Sequence, residues 1–378
     1  MFKIEKFNSL YIAFLIFGFP TITFVSAILS LENLTIYYRI FVSAFGVFVI
    51  ISNCQSRINK SVIIPFAIIF LVLVFYTLRL VQDLHLFDFG ASPQDVYLRY
   101  ISFVLLPTFA CVFIKKINHV TKYALPMIFI IIIGSIGQLL LGGYEYRLSG
   151  NYMLNPISLG NSLAMSIIIL ITHYKSALKL LYISPALLML YATLSRGALL
   201  SFLTYTSISL RPAYAIILLF VLGFIYFNGF AGSEIFGLST GRLAVNIESI
   251  NNGEGEARVI LWYYAVLMIA DHPIWGSHLT TEIGYVHNVY LEVLMSIGVI
   301  LGGLFIVVIF GTFIRCISVI RGQNTHDAKL IASIFILISI QNLFSGTFYN
   351  AELLLPFLIL VINQVSLSKG SRKICVYT

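Results

Sequence analysis

About twelve stretches of this chain are apolar for long enough, or nearly long enough, to cross a bilayer, and that restricts its solvent before anything else is read. They fall near 10–31, 36–53, 61–80, 98–114, 123–141, 157–173, 180–194, 198–210, 213–229, 289–314, 330–348 and 351–367. Runs of about 17–25 apolar residues match roughly 30 Å of hydrocarbon when helical. The pair 180–194 and 198–210 is short enough to be one broken unit. Hydrophobic residues make up 59% of the 378 and charged ones 10%, with a mean hydropathy of +0.97. No soluble core could hide that much apolar surface. The expected architecture is all-α: one polytopic membrane domain, 1–378, with a single long extracytoplasmic loop at 230–288. Lys3 and Lys6 resemble the basic start of a signal peptide. The run behind them is too long and lacks a small-residue cleavage site, which predicts a retained anchor.

Charge sets the expected orientation. With the amino terminus in the cytoplasm, alternate loops hold Arg57 and Lys60; Lys115, Lys116 and Lys122; Lys175 and Lys179; Arg211; Arg315, Arg321 and Lys329; and Lys369, Arg372 and Lys373. This is the positive-inside pattern, and it places both termini in the cytoplasm. The net charge of +8 is thus a topology signal rather than a nucleic-acid footprint. Cys54, Cys111, Cys316 and Cys375 fall at or near the same ends, where thiols stay reduced.

The opposite ends carry no lysine. Their cations are Arg39, Arg79, Arg99, Arg147, Arg196, Arg242 and Arg258, set among acids that include Asp83, Asp95, Glu254, Asp271 and Glu282. Arginine offers a planar fork of donors that grips phosphate or carboxylate bidentately. Arg39, Arg79, Arg99 and Arg242 read equally well as partners of neighbouring acids. Arg196, in "ATLSRGALLSFLTY", interrupts an apolar hairpin between small residues that leave room for a ligand. Arg147 lies in "YEYRLSGNYMLNP", a turn by itself. Arg258 opens "RVILWYYAVLMIADHPIWGSH", whose apolar part is too short to span and predicts a re-entrant or interfacial helix ended by Pro273 and Gly276.

The long loop closes on "HNVYLEVLMSIGVILG", with His287 and Asn288 at the mouth of a span. Together with "SRGA", "RVILW" plus Pro-x-x-Gly, and "RLSGNYMLNP", in this order and on one side, it resembles the O-antigen ligase and polymerase superfamily of membrane glycosyltransferases. The "PIWGSH" stretch departs from the family's pattern in lacking a second glycine. The resemblance implies an undecaprenyl-diphosphate-linked oligosaccharide as donor, membrane lipid around it, a chain-length regulator protein as a partner, and no nucleic acid. It also implies an active site on the outer, periplasmic face of the cytoplasmic membrane.

On that chemistry Arg196, Arg258 and Arg147 hold the substrate diphosphate, and His287 takes the proton of the acceptor hydroxyl. Asn288 is a plausible helix cap, a job that His287 itself could do instead. Glu292, one turn into the span, is costly unless paired or functional; it could orient the imidazole or bind an arginine. His278 and Glu282 are second-choice acid/base groups. No acidic pair with ligand spacing appears in the loops, which predicts a metal-independent reaction without cofactors. A polymerase is expected over a ligase, because the outer loops hold more acids than arginines. The reading from another class is a lipid-linked oligosaccharide flippase, which should carry charge at mid-membrane depth; here the ionisable groups gather at one surface.

Overall fold

A computed structural model describes residues 2–31, 33–55, 58–85, 92–140, 154–173, 179–193, 195–209, 257–281, 284–322 and 324–374. Within them the chain is helical, without a named strand. Helices α1 (Phe2–Leu29), α2 (Leu34–Asn53) and α3 (Lys60–Asp83) lead to α4 (Pro93–Arg99), a π-helical turn at Tyr100–Leu105 and α5 (Leu106–Phe113), which together form one rod. Then come α6 (Val120–Leu140), α7 (Pro156–His173), α8 (Lys179–Ala192) and α9 (Arg196–Ser209). Within the 230–288 segment lies α10 (Ala257–Asp271), and after it follow α11 (Val289–Ile297), α12 (Val299–Arg321), α13 (His326–Gln341) and α14 (Leu354–Ile374).

Six of these units are long and apolar enough to cross a membrane: Ile4–Leu29, Leu34–Asn53, Lys60–Asp83, Pro93–Phe113, Val120–Leu140 and Val299–Arg321. Shorter apolar helices occupy Pro156–Thr172, Leu181–Ala192 and Leu354–Gln364. The expected run at 213–229 lies outside the described residues, as do positions 230–256, 282 and 283 of the 230–288 loop.

Burial sorts the helices into a centre and a ring. From Leu330 to Ile340 every residue of α13 is buried, as is α14 from Leu354 to Asn363; a helix apolar all round belongs inside. On the ring, Ile64, Leu78, Ile133, Val307 and Phe310 are each more than 60% exposed, a surface suited to lipid. Helices α1 and α2 approach closely by exchanging glycines for tyrosines. A Cβ on Gly18 would stand 2.4 Å from the Tyr38 hydroxyl, and one on Gly46 would stand 2.8 Å from that of Tyr11. Small residues at such crossings let membrane helices pack by contact rather than by water exclusion.

The bundle has two chemically different ends. At one, Asn8 and Asn53 bond to each other, Asn8 donates to the Lys116 carbonyl at 3.3 Å and Gln364 donates to that of Lys115 at 2.9 Å. The Asp327 carboxylate accepts from the His119 amide at the same end. This is the lysine-bearing end. At the other, Asp95 pairs with both Arg39 and Arg99, and Asp83 bonds His278. Lys115 and Lys116 thus stand at one end of the bundle and the arginine pair Arg39 and Arg99 at the other.

Two expected boundaries are corrected. The run 289–314 is two helices, because Gly298 takes φ +83° between α11 and α12. An added Cβ there would lie 2.0 Å from the Ile274 carbonyl oxygen, and one on Gly276 (φ +69°) would lie 2.4 Å from the Ser296 carbonyl. The two glycines let the turn after α10 press against the α11–α12 break. Val299 N donates to Pro273 O and Ser277 N to Met295 O, both at 2.7 Å. Arg79 locks the contact, donating to the Ser296, Trp275 and Gly276 carbonyls at 3.1 Å each. The run 330–348, in turn, stops being helix at Gln341 and passes through turns and a 3-10 turn (Phe348–Asn350) before α14.

Candidate functional site

Geometry assigns the helix cap at the mouth of the span. The Asn288 side-chain oxygen accepts from Tyr290 N at 3.0 Å and Leu291 N at 3.2 Å, so Asn288 is the cap of α11. An asparagine cap is worth about 1 kcal/mol and leaves nothing for its neighbour to do there. His287 instead has φ +54°, a left-handed conformation uncommon outside glycine. Its ring lies 4.1 Å from that of Tyr285, centroid to centroid. Burial holds its pKa below the ordinary 6.5, and the positive charge of Arg258 lowers it further.

Beside His287 opens a cavity of about 360 Å³, within the size range of small-molecule sites. It is walled by α1 (Ile16, Phe19, Pro20), by Leu154–Met165 at the start of α7, by the end of α13 and by the turn from Ser345 to Leu353. Arg99, His287, Tyr285, Tyr349, Gln341 and Glu352 bring the polar chemistry. All of these lie toward the arginine-bearing end of the bundle.

Arg258 stands in the first turn of α10 and donates from Nη1 to the Phe344 carbonyl at 2.7 Å. The indole of Trp262, one turn on, donates to Val286 O at 3.0 Å and ties α10 to the residue preceding His287. This is a physical reason for an arginine followed four residues later by tryptophan. Arg196 begins α9; its side chain lies outside the described residues. Its neighbours are placed, however. Gly197 faces Phe344, whose Cβ would be 3.5 Å from an added Cβ, and Gly160 of α7 meets Ser195, Ala198 and Thr193 at 3.0 Å. The "SRGA" stretch and Arg258 thus meet the same residue of the α13–α14 turn. Arg147 and Glu282 lie outside the described residues, as does Arg242.

Glu292 is fully enclosed, and its two oxygens have other partners than those the sequence suggested. Oε1 accepts from the Tyr76 hydroxyl at 2.6 Å and Oε2 from Phe348 N at 3.0 Å. Tyr349 N in turn donates to the Tyr76 oxygen at 3.2 Å. The carboxylate holds the turn that floors the cavity; it contacts neither the imidazole nor an arginine among the described residues. His278 bonds through Nδ1 to Asp83 Oδ1 at 3.0 Å, while Leu279 N donates to Oδ2. That anchors the loop to α3. Arg39 and Arg79 have structural partners, whereas Arg99 both pairs with Asp95 and lines the cavity.

Sequence reasoning missed Tyr349, Glu352 and the cavity role of Arg99. A signal was present: "QNLFSGTFYNAE" places ten non-aliphatic residues between two apolar runs, too polar for a plain hairpin of spans. Among the described residues no three His, Cys, Asp or Glu side chains gather as a metal-holding group. A scan against protein-family models finds no match for this chain, and neither does a search of the curated proteins.

Proposed function

We propose that this protein is a membrane glycosyltransferase, an O-antigen or related surface-polysaccharide polymerase. It joins undecaprenyl-diphosphate-linked repeat units at the outer face of the cytoplasmic membrane. The observation that carries the reading is the position of His287: a half-buried imidazole, left uncharged by its surroundings and relieved of capping by Asn288, on the wall of a polar cavity with Arg258 nearby.

In this reaction the acceptor sugar hydroxyl attacks the anomeric carbon of the donor. The C1–O bond to the diphosphate breaks, the lipid diphosphate leaves with its electron pair, and His287 takes the hydroxyl proton. The leaving group needs stabilised charge rather than a proton, and fixed guanidiniums in a site shielded from water supply that. Arg258 uses one donor on Phe344 O, which holds the fork in place; Arg196 and Arg147 complete the set by sequence. The polymerase is favoured over a ligase because few arginines stand among many acids on this face, suited to two diphosphates and otherwise mostly neutral sugar.

Deleting the gene should leave the surface polysaccharide as single repeat units, and complementation with Arg196→Lys or Arg258→Lys should fail despite normal insertion, since lysine keeps the charge without the fork. Accumulation of long lipid-linked polymer would indicate a ligase instead. Full activity of both lysine variants would reduce the two arginines to interface anchors.

A further inference from the structure

We infer that the cavity beside His287 is a subsite for an uncharged sugar of the acceptor, separate from the place where diphosphate is held. The inference rests on the glycosyltransferase reading and assigns a substrate part to one region of it.

Charge makes the first argument. Around the cavity the guanidiniums of Arg39 and Arg99 stand beside the Asp95 carboxylate and the Glu352 carboxyl, whose pKa burial pushes up to about 7. Asp95 already pairs with both arginines, and Glu352 lies in their field. A diphosphate needs surplus positive charge and free forks. Among the described residues Arg99 is the one guanidinium on the wall, its Nε already facing Asp95 at 2.7 Å, and Arg258 is not on the wall.

The second argument is the kind of polar group present. The Asn161 side-chain oxygen is buried without a hydrogen-bond partner, on a residue only 6% exposed that lines the cavity. Buried polar groups are almost always paired, so this oxygen and the Thr347 hydroxyl, likewise unpaired on a wall residue, mark polar groups that a ligand in the cavity can satisfy. Gln341 adds an amide that both donates and accepts, which is what a ring of hydroxyls requires. Tyr285 and Tyr349 provide flat apolar faces with polar tips.

The third argument is position. His287 shares the cavity wall, so a sugar held there presents a hydroxyl on the side of the imidazole. A site built to bond hydroxyls rejects analogues lacking them far better than a greasy pocket does. The choice of acceptor thereby falls to residues of α7, the end of α13 and the turn after it, together with Tyr285 and His287 at the close of the long loop.

The test uses the full chain in lipid nanodiscs, with Cys54 and Cys375 replaced by serine, the buried Cys111 and Cys316 kept, and one cysteine added at Ser158→Cys or, as a second reporter, Asn350→Cys, both on the cavity wall. The rate of methanethiosulfonate labelling is followed with free D-galactose, L-rhamnose, N-acetyl-D-glucosamine, D-glucuronate or inorganic pyrophosphate at millimolar concentration. At least one uncharged sugar should slow labelling several-fold at both positions, and Asn161→Ala should remove that protection. Glucuronate and pyrophosphate should not protect. Protection by the anions alone, or by no probe, would overturn the inference. Protection by a sugar in a protein that forms no polymer would keep the subsite and defeat the polymerase reading. Polymer formation without protection would do the reverse.

Discussion

Tyr76 of α3 and Glu292 of α11 meet hydroxyl to carboxylate at 2.6 Å, although 216 residues separate them. With Phe348 N on the other oxygen, this one carboxylate joins an early helix, the helix behind His287 and the turn under the cavity.

Glu292→Gln is therefore expected to act first on stability. A glutamine cannot accept through both terminal atoms, so either Tyr76 or Phe348 loses its acceptor, at a cost of about 1–3 kcal/mol for a buried group left unpaired. A lowered melting temperature in detergent, matched by Tyr76→Phe and non-additive in the double variant, is the expected result. Glu292→Gln that melts normally yet transfers no sugar would return the carboxylate to the chemistry.

His287→Ala should lower turnover by about 10²–10⁴-fold while donor binding stays near normal, because a general base acts in the transition state. His287→Asn should be equally inactive; an active asparagine variant would sink the assignment. The pH profile has a defined sign. The neutral imidazole is the working form, and burial with Arg258 moves its pKa below 6.5. Activity should thus be flat above that pH and fall only below it. Arg258→Gln should shift this acidic limb upward in pH, beyond its effect on overall rate.

Gly298→Ala and Gly276→Ala should sharply reduce folded protein. Each combines a left-handed backbone, about 1–2 kcal/mol for an L-residue, with a Cβ inside 2.5 Å of backbone atoms across the contact. Gly303→Ala is the control. Nothing lies within 4 Å of its Cβ, and the helix should gain about 0.5–1 kcal/mol. Equal yields from all three would mean that the α10 turn does not press on the α11–α12 break.

Sidedness can be read with reporter fusions. Those after Lys60, Lys116, Lys179, Arg211 and Arg321 should report cytoplasm, and those after Asp88, Gly150 and Gly253 the outside. A cytoplasmic signal at Gly253 would remove the outer-face site.

What the sequence disclosed and what it withheld have physical reasons. The Asn288 cap was readable because a cap acts on the next three residues, and the brevity of α10 because length is counted directly. The 15 residues of Ala257–Asp271 make about 22 Å of helix, short of a full crossing. The partner of Glu292 was not readable, since only the fold brings position 76 to it. Nor was the break at Gly298, because membrane helices tolerate glycine well and the apolar run continues through it. The cavity floor was hidden for a related reason: Gln341 and Asn342 fall inside the apolar run 330–348, while the helix ends there.

The chain positions of Tyr76, Glu292 and Phe348 also impose an order of manufacture. A protein leaves the ribosome from its amino terminus, and long-range contacts form only once both partners exist. When α3 enters the bilayer, neither the carboxylate that will take its tyrosine hydroxyl nor the amide that will share that carboxylate has been made. The buried centre, α13 and α14, is made after the ring helices. The early helices are held by lipid and by one another, and the bundle closes around a core that is made after them.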